Sequence, residues 1–130
     1  MIRLSVDLLG ADTPEEELLR GAIEGMKNNP DLFLYLCGNK EKTESALSAY
    51  PSLSGRYEAI DCPVAVTNYD DPMTVYTNEK ASIVQAMTLA KKDAGGVITC
   101  GATGAVLVSS IMILGKLKEL RPILAVELKN

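Results

Sequence analysis

The sequence predicts an α/β domain with a mostly parallel sheet and helices on both faces. Short apolar runs alternate with amphipathic helical segments along the 130 residues, and this alternation is typical of parallel strands joined by crossover helices. Hydrophobic residues make up 47% of the chain, which is enough for one buried core. Because the sequence shows neither an internal repeat nor a low-complexity linker, we expect a single domain over residues 1–130.

Two strands and a well-marked helix are predicted in the first third of the chain. The β-rich run Ile2–Val6 is followed by a loop. The helix start then has Thr13 as N-cap, Pro14 at the first helical position and Glu16 closing a capping box. After the helix, the continuous apolar run Leu32–Cys37 suits a strand buried on both faces of a parallel sheet.

The rest of the chain continues the alternation of helices and strands. In order, the predicted elements are a weaker helix from Lys40 to Ala49, a strand Tyr57–Asp61, a loop from Cys62 to Pro72, a helix ending at Lys91-Lys92, a short buried strand Val97–Cys100, a turn Gly101–Gly104, a helix from Ala105 to Lys118 and a strand Ile123–Leu128. Connections between successive parallel strands should be right-handed crossovers.

Composition excludes several classes of protein. The chain has no histidine, which rules out a Ser-His-Asp or Cys-His nucleophile and histidine-ligated zinc within it. The chain has 13 Lys+Arg and 17 Asp+Glu. The resulting net charge of −4 argues against nucleic acid as a partner. We predict no metal and no other cofactor. An anionic ligand must then be held by nearby hydrogen-bond donors, because the net negative charge of the chain repels it.

Cysteine usage and the apolar runs predict the compartment. Cys37, Cys62 and Cys100 are odd in number and widely spaced, which is typical of free thiols in a reducing cytoplasm. Asp7 interrupts the N-terminal run too early for a secretory signal. The longest apolar stretch, from Ala105 to Leu114, has about ten residues where a membrane span needs roughly 20. We predict a cytoplasmic protein, with peripheral attachment to a membrane left open.

The turn Gly101–Gly104 is the clearest candidate ligand site. Ligands bind at the carboxyl ends of strands in an open parallel sheet. Two glycines permit a sharp turn, the following helix start offers unpaired N–H groups, and Thr103 adds a hydroxyl donor. A phosphate cradle and a purely structural strand–helix turn both stay open from this pattern. We interpret the neighbouring Cys100 as structural, because the chain offers it no histidine base.

Two acidic segments are further candidates. Asp7 ends the first strand and Asp12 precedes the first helix, so they orient a substrate or simply form a turn and a cap. Asp70-Asp71-Pro72, with Lys80 and Ser82 downstream, suggests acid–base or magnesium chemistry. The same residues are also typical of a helix start with proline at its first position. The pattern alone leaves these alternatives open.

Four segments carry a family resemblance in a fixed order. They are the opening Val6-Asp7-Leu8-Leu9-Gly10-Ala11-Asp12-Thr13-Pro14-Glu15, the strand end Leu36-Cys37-Gly38-Asn39-Lys40-Glu41-Lys42, the pair Asp70-Asp71-Pro72-Met73 and Lys80-Ala81-Ser82-Ile83-Val84, and Cys100-Gly101-Ala102-Thr103-Gly104-Ala105 with the later Ile113-Leu114-Gly115 and Arg121-Pro122. Together they resemble the bacterial acyl-carrier-protein:phosphate acyltransferases, the PlsX family. The resemblance spans nearly the whole chain.

The resemblance implies a fold related to the isopropylmalate dehydrogenase and phosphotransacetylase group. It also implies a reaction that forms acyl phosphate from a thioester and inorganic phosphate. The implied partner is an acyl carrier protein or another thioester carrier. The implied site comprises catalytic Asp12 and Thr103, and the phosphate- or substrate-binding residues Asp7, Gly10, Asp71, Lys80, Ser82, Gly101, Ala102, Thr103 and Gly104.

The chain departs from that family at three polar positions. The family's histidine after Asp12 is absent, Ala102 replaces its asparagine, and Thr77-Asn78-Glu79 replaces most of its basic run. These departures favour two alternatives, namely component C of a glycine, sarcosine or betaine reductase, which releases acetyl phosphate, and a non-catalytic binding module. Since family members are much longer, we interpret the chain as the N-terminal part of such a protein. A truncated sheet exposes an apolar edge, which favours association, either with the missing half or as a homodimer.

Overall fold

A four-stranded sheet forms the centre of the protein, which a computed structural model describes over residues 1–67 and 69–115. The strands are β1 (Ile2–Asp7), β2 (Leu32–Gly38), β3 (Tyr57–Asp61) and β4 (Val97–Thr99). The helices are α1 (Glu15–Asn28), α2 (Lys40–Leu47), α3 (Ser82–Lys92) and α4 (Thr103–Ser109). All neighbouring strands are parallel, so the predicted α/β fold is confirmed.

Helices cover both faces of this sheet. On one face, α1 and α2 pack against β1 and β2 to form the largest core cluster, which comprises Val6, Leu8, Leu19, Ile23, Met26, Leu34, Leu36, Leu47 and Leu53. On the opposite face, the Ser5 hydroxyl of β1 donates a 2.7 Å hydrogen bond to the Ala86 carbonyl oxygen of α3. Side chains alternate along a strand, so Asp7 lies on the α3 face with Ser5.

The strand order is β3-β2-β1-β4, so the order reverses between β1 and β4. The first three strands add in one direction, and β4 then pairs with the other edge of β1. The chain between β3 and α3 contains a 3-10 turn, Pro72–Tyr76, and a parallel bridge between Val64 and Ala81. Both ends of this connection lie at the carboxyl edge of the sheet, where Ser82 begins α3.

The predicted capping box of α1 is wrong. The helix begins at Glu15, after Pro14 in an extended conformation (φ −58°, ψ 146°), and no side chain caps it. The Glu15 carboxylate instead accepts a 2.7 Å hydrogen bond from the N–H of Asn39, and Glu16 forms a 3.1 Å ion pair with Lys42. The first-turn carboxylates are therefore used to hold the start of α2 against α1.

The last described helix also differs from its predicted bounds. It begins at Thr103, two residues before Ala105, and continues as a π-helical turn over Ser110–Leu114. Gly115 follows with φ +80°. The predicted strand Ile123–Leu128 and the last residues of the predicted helix lie outside the described residues.

The predicted burial of β4 is wrong as well. Ile98, at its centre, is 48% exposed. Within the described sheet β4 pairs only with β1, so it is an edge strand. None of the helices in the described ranges combines the length and the apolar character needed to cross a bilayer.

Candidate functional site

Asp7, at the carboxyl end of β1, is the centre of a buried hydrogen-bonded group. Its carboxylate accepts a 2.8 Å bond from the Thr99 hydroxyl, a 3.1 Å bond from the N–H of Leu9 and a bond from the Ser82 hydroxyl. Burial raises the pKa of Asp7, and the three hydrogen bonds oppose that rise. The group ties together β1, β4 and the start of α3 at the edge where the strand order reverses.

Two glycines allow the neighbouring loops to close over this group. The N–H of Gly101 donates a 3.0 Å bond to Thr99 Oγ1, and a Cβ on Gly101 would lie 3.0 Å from Asp7 Oδ2. Gly10 has φ +83°, and a Cβ there would lie 2.7 Å from the Val66 carbonyl oxygen. Any larger residue would displace one of the loops. The N–H of Gly101 is already hydrogen-bonded to Thr99, so it is not available to a ligand. The role of this glycine is to let the turn pass close to the Asp7 carboxylate.

The start of α4 presents hydrogen-bond donors at the same edge of the sheet. The first intrahelical bond runs from the N–H of Val106 to the carbonyl of Ala102, at 3.0 Å. The N–H groups of residues 103–105 precede that bond and need partners from outside the helix. Thr103 is exposed at this helix start, whereas Ala102 and Ala105 are buried. The adjacent Gly104 contacts Pro72 so closely that a Cβ would lie 2.5 Å from Pro72 Cγ.

The predicted site residues fall into three groups. Asp7, Gly10, Ser82 and Gly101 share the buried group, and Ala102, Thr103 and Gly104 continue directly from it. Asp71 caps the 3-10 turn by accepting a 2.9 Å bond from the N–H of Met73, which confirms the helix-start interpretation of the Asp-Asp-Pro segment. Asp12 and Lys80 are exposed, and neither is among the described partners of the Asp7 carboxylate.

Thr99 is a residue of this group that we did not predict from the sequence. It pairs with Asp7 in the β1–β4 register, which places the two side chains next to each other on the α3 face. One indication of Thr99 was present in the sequence, namely its position at the end of a predicted strand, just before the glycine motif. That signal identifies a neighbour of Asp7 only once β4 is known to lie beside β1.

The cysteines are free thiols, as predicted, but their environments differ. Cys37 and Cys62 are buried and hydrogen-bonded to each other, and Cys37 lies opposite Asp7 in the β1–β2 register. Cys100 is exposed, so it does not serve as a buried structural residue. In the part of the chain that the structure describes, no three Cys, Asp or Glu residues are grouped as metal ligands.

Comparison with known proteins matches residues 2–129 to the family model described as "Fatty acid synthesis protein". The chain belongs to this family. Members among the curated proteins that carry the name "Phosphate acyltransferase" include those of Alkaliphilus oremlandii (strain OhILAs), 33% identical over 95% of the chain, Syntrophomonas wolfei subsp. wolfei, 30% identical over 99%, and Roseobacter denitrificans, 33% identical over 96%. The resemblance predicted from the four segments is confirmed.

The family relatives are much longer than this chain. The alignments cover 38%, 41% and 36% of the Alkaliphilus, Syntrophomonas and Roseobacter proteins, respectively. The chain therefore spans well under half the length of these fatty acid synthesis family members. The matched region includes the buried group around Asp7 and the glycine motif at the start of α4.

Proposed function

We propose that this chain carries the phosphate-binding part of a site that transfers an acyl group from a thioester to inorganic phosphate. The family and the name of its relatives support this reaction class. The observation that carries the proposal is the position of the Gly101–Gly104 turn. It follows β4 at the carboxyl edge, beside β1, where the strand order reverses and where open parallel sheets bind their ligands.

Phosphate is bound in this proposal by the start of α4. The N–H groups of Thr103, Gly104 and Ala105, together with the Thr103 hydroxyl, supply donors without requiring a surplus of Lys or Arg. Asp7 is a positioning residue that acts through Thr99, whose hydroxyl oxygen accepts the N–H of Gly101. Its carboxylate is buried below the turn, so it fixes the backbone without contacting the anion.

The reaction requires little beyond positioning and stabilisation of charge. A phosphate oxygen attacks the thioester carbonyl carbon and forms a C–O bond, the tetrahedral oxyanion collapses, and the C–S bond breaks. The proton lost by hydrogen phosphate passes to the leaving thiolate, so the products are acyl phosphate and a free thiol. Correct placement of the two reactants supplies about 7–11 kcal/mol in favourable intramolecular cases. Asp12, exposed in the loop before α1, is our candidate for moving the proton.

The finer assignments also belong to the proposal. An acyl carrier protein or another thioester carrier delivers the acyl group, and the exposed cation Lys80 is our candidate for contacting it. A homodimer in the cytoplasm is the expected assembly. The unpaired edge of β4 and the exposed Ile98 within the described sheet support association of this edge with further protein.

Production of acyl phosphate tests the proposal directly. The protein is incubated with an acyl thioester and phosphate, and acyl phosphate is trapped with hydroxylamine. Thr103→Ala should lower kcat/KM by about 100-fold, since removal of one preorganised donor costs about that much. Thr88→Ala is the matched control, because the Thr88 hydroxyl bonds within α3, to the Val84 carbonyl.

Three results would separate the alternatives. Turnover of acetyl thioesters alone would favour the reductase component. Absence of phosphate binding by calorimetry, with Thr103→Ala changing only stability, would indicate a non-catalytic module. Equal loss of activity in the Thr103 and Thr88 variants would show that the start of α4 has no special part in the reaction.

A further inference from the structure

A 3-10 turn in the connection between β3 and α3 packs against the start of α4. The turn spans Pro72–Tyr76, and Asp71 caps it by accepting a 2.9 Å hydrogen bond from the N–H of Met73. The Asp71 carbonyl oxygen accepts two further bonds, from the N–H and the hydroxyl of Thr74, at 2.9 and 2.8 Å. Together with the fixed φ of proline, these bonds hold Pro72 at the first position of the turn.

The contact between this turn and α4 is made at Gly104. A Cβ on Gly104 would lie 2.5 Å from Pro72 Cγ and 3.1 Å from Pro72 Cβ, so the proline ring occupies the space beside the Gly104 Cα. Val75 of the turn is buried and belongs to the same apolar cluster as Ala102 and Ala105. The 3-10 turn and the first turn of α4 therefore form one packed unit.

Among the described residues, no side chain caps the start of α4, so its position depends on neighbouring segments. Ala102 occupies the N-cap position, and its methyl side chain cannot accept a hydrogen bond. Directly before it, the N–H of Gly101 is bonded to Thr99 Oγ1 at 3.0 Å. Two residues after it, Gly104 packs against the Pro72 ring. One hydrogen bond and one close packing contact thus fix the backbone on either side of the uncapped position.

We propose that Pro72 is a positioning residue for phosphate, which acts indirectly by fixing the Gly104 backbone at the start of α4. This inference rests on the proposed binding of phosphate at that helix start. Proline suits the role because its ring loses no side-chain entropy on packing, so the contact surface is rigid. Rigidity matters because a displacement of about 1 Å in a site of this kind costs up to about 100-fold in rate.

Positioning of this kind has a reciprocal effect. If the turn favours the arrangement of α4 that binds phosphate, then phosphate must stabilise the turn by the same free energy. Binding of inorganic phosphate should therefore slow hydrogen exchange at Met73, Thr74 and Thr77, whose N–H groups are bonded within the turn or at its end. The N–H of Thr43, bonded to the Asn39 carbonyl at the start of α2, is the matched reference and should not change. A contact that only stabilises the fold would leave all four amides unaffected by phosphate.

Pro72→Ala tests the role through the kinetics of acyl transfer. The substitution removes the ring atoms beside Gly104 and keeps every N–H donor of α4. It should raise KM for phosphate by about tenfold, less than the cost of a 1 Å displacement, and leave KM for the thioester unchanged. Pro51→Ala is the matched control, because Pro51 also begins a 3-10 turn, Pro51–Leu53, in the connection between α2 and β3. It should leave both constants unchanged.

Gly104→Ala provides a test by rescue. On its own, the added methyl group overlaps the proline ring and should weaken phosphate binding, measured by calorimetry with inorganic phosphate. Combined with Pro72→Ala, the methyl group lies 3.1 Å from the Cβ that remains, so a small shift restores the contact. The double variant should therefore bind phosphate more tightly than either single variant. Such coupling is expected of residues in contact and not of independent ones.

Several outcomes would overturn the inference. They are an unchanged KM for phosphate in Pro72→Ala, equal effects of Pro72→Ala and Pro51→Ala, a double variant that shows the sum of the two single losses, and exchange at the turn that phosphate does not slow. The exchange measurement uses the unmodified protein, so it decides even where a variant fails to fold. Failure of the proposed function is a distinct result, because the wild type then neither binds phosphate nor forms acyl phosphate.

Discussion

The Thr99 hydroxyl donates a 2.8 Å hydrogen bond to the Asp7 carboxylate, and it also accepts the N–H of Gly101 at 3.0 Å. One side chain thus connects the end of β1 to the turn that leads into α4. The buried carboxylate and the backbone of the candidate phosphate site are held by the same oxygen atom.

Thr99→Val should destabilise the protein by about 1–3 kcal/mol. Valine keeps the shape of threonine but leaves the Gly101 N–H without its partner and the Asp7 carboxylate with one donor fewer, and loss of hydrogen bonds to buried groups costs about this much. Urea unfolding measures the change. Thr88→Val, whose hydroxyl bonds only within its own helix, should stay within about 0.5 kcal/mol of the wild type. Equal effects of the two substitutions would contradict a special role for the Asp7 group.

Gly104→Ala should destabilise the protein by about 1–3 kcal/mol, because an added methyl group would lie 2.5 Å from Pro72 Cγ and overpacking has this cost. Gly21→Ala is the matched substitution in open space, and it should stabilise the protein by up to about 1 kcal/mol through helix propensity. Thermal unfolding compares the two. If both alanine variants shift in the same direction, the contact between α4 and the 3-10 turn is not the tight one described.

Asp7→Asn should change how stability depends on pH. Burial raises the pKa of Asp7 in the folded state above its unfolded value of about 3.9. The folded protein then binds more protons across that interval, so the contribution of Asp7 to stability falls as the pH rises above about 4 and levels off once the carboxyl group ionises. The measured quantity is the free energy of unfolding of the wild type minus that of the variant. A difference that rises with pH would mean that the hydrogen bonds outweigh burial.

One thiol should react readily in the folded protein and two should be protected. Cys100 is exposed, whereas Cys37 and Cys62 are buried. The hydrogen bond with Cys62, together with burial, raises the pKa of the Cys37 thiol, so little reactive thiolate forms. Titration with an aromatic disulfide reagent should modify one thiol rapidly in buffer and three in urea. Cys100→Ser should remove the rapid phase, and persistence of that phase would place a buried thiol within reach of solvent.

The sequence predicted the bounds of the secondary-structure elements better than the contacts between those elements. Tyr57–Asp61 has the predicted bounds, because turn residues delimit a short β-rich run. The capping box failed because Glu15 and Glu16 find partners at the start of α2, which no local pattern records. The burial of β4 was misjudged for a related reason, since strand order decides which strand lies at an edge.

The candidate site was predictable in part. The strand-end aspartate and the glycine motif stood out from residue type and position, and the structure places Asp7 and Gly101 together. Thr99 was missed because its role depends on the register between β1 and β4.

The hydrogen bond between Thr99 and Asp7 joins residues 92 positions apart, and this separation has a consequence for biosynthesis. The first three strands pair β1 with β2 and β2 with β3, so they can assemble while the later chain is still being translated. β4 must close a much longer loop before it reaches β1, and such distant contacts form slowly. Within the described sheet we therefore expect the ligand-binding edge to form last, and in a nascent chain that ends before β4 the Asp7 carboxylate lacks the Thr99 hydroxyl.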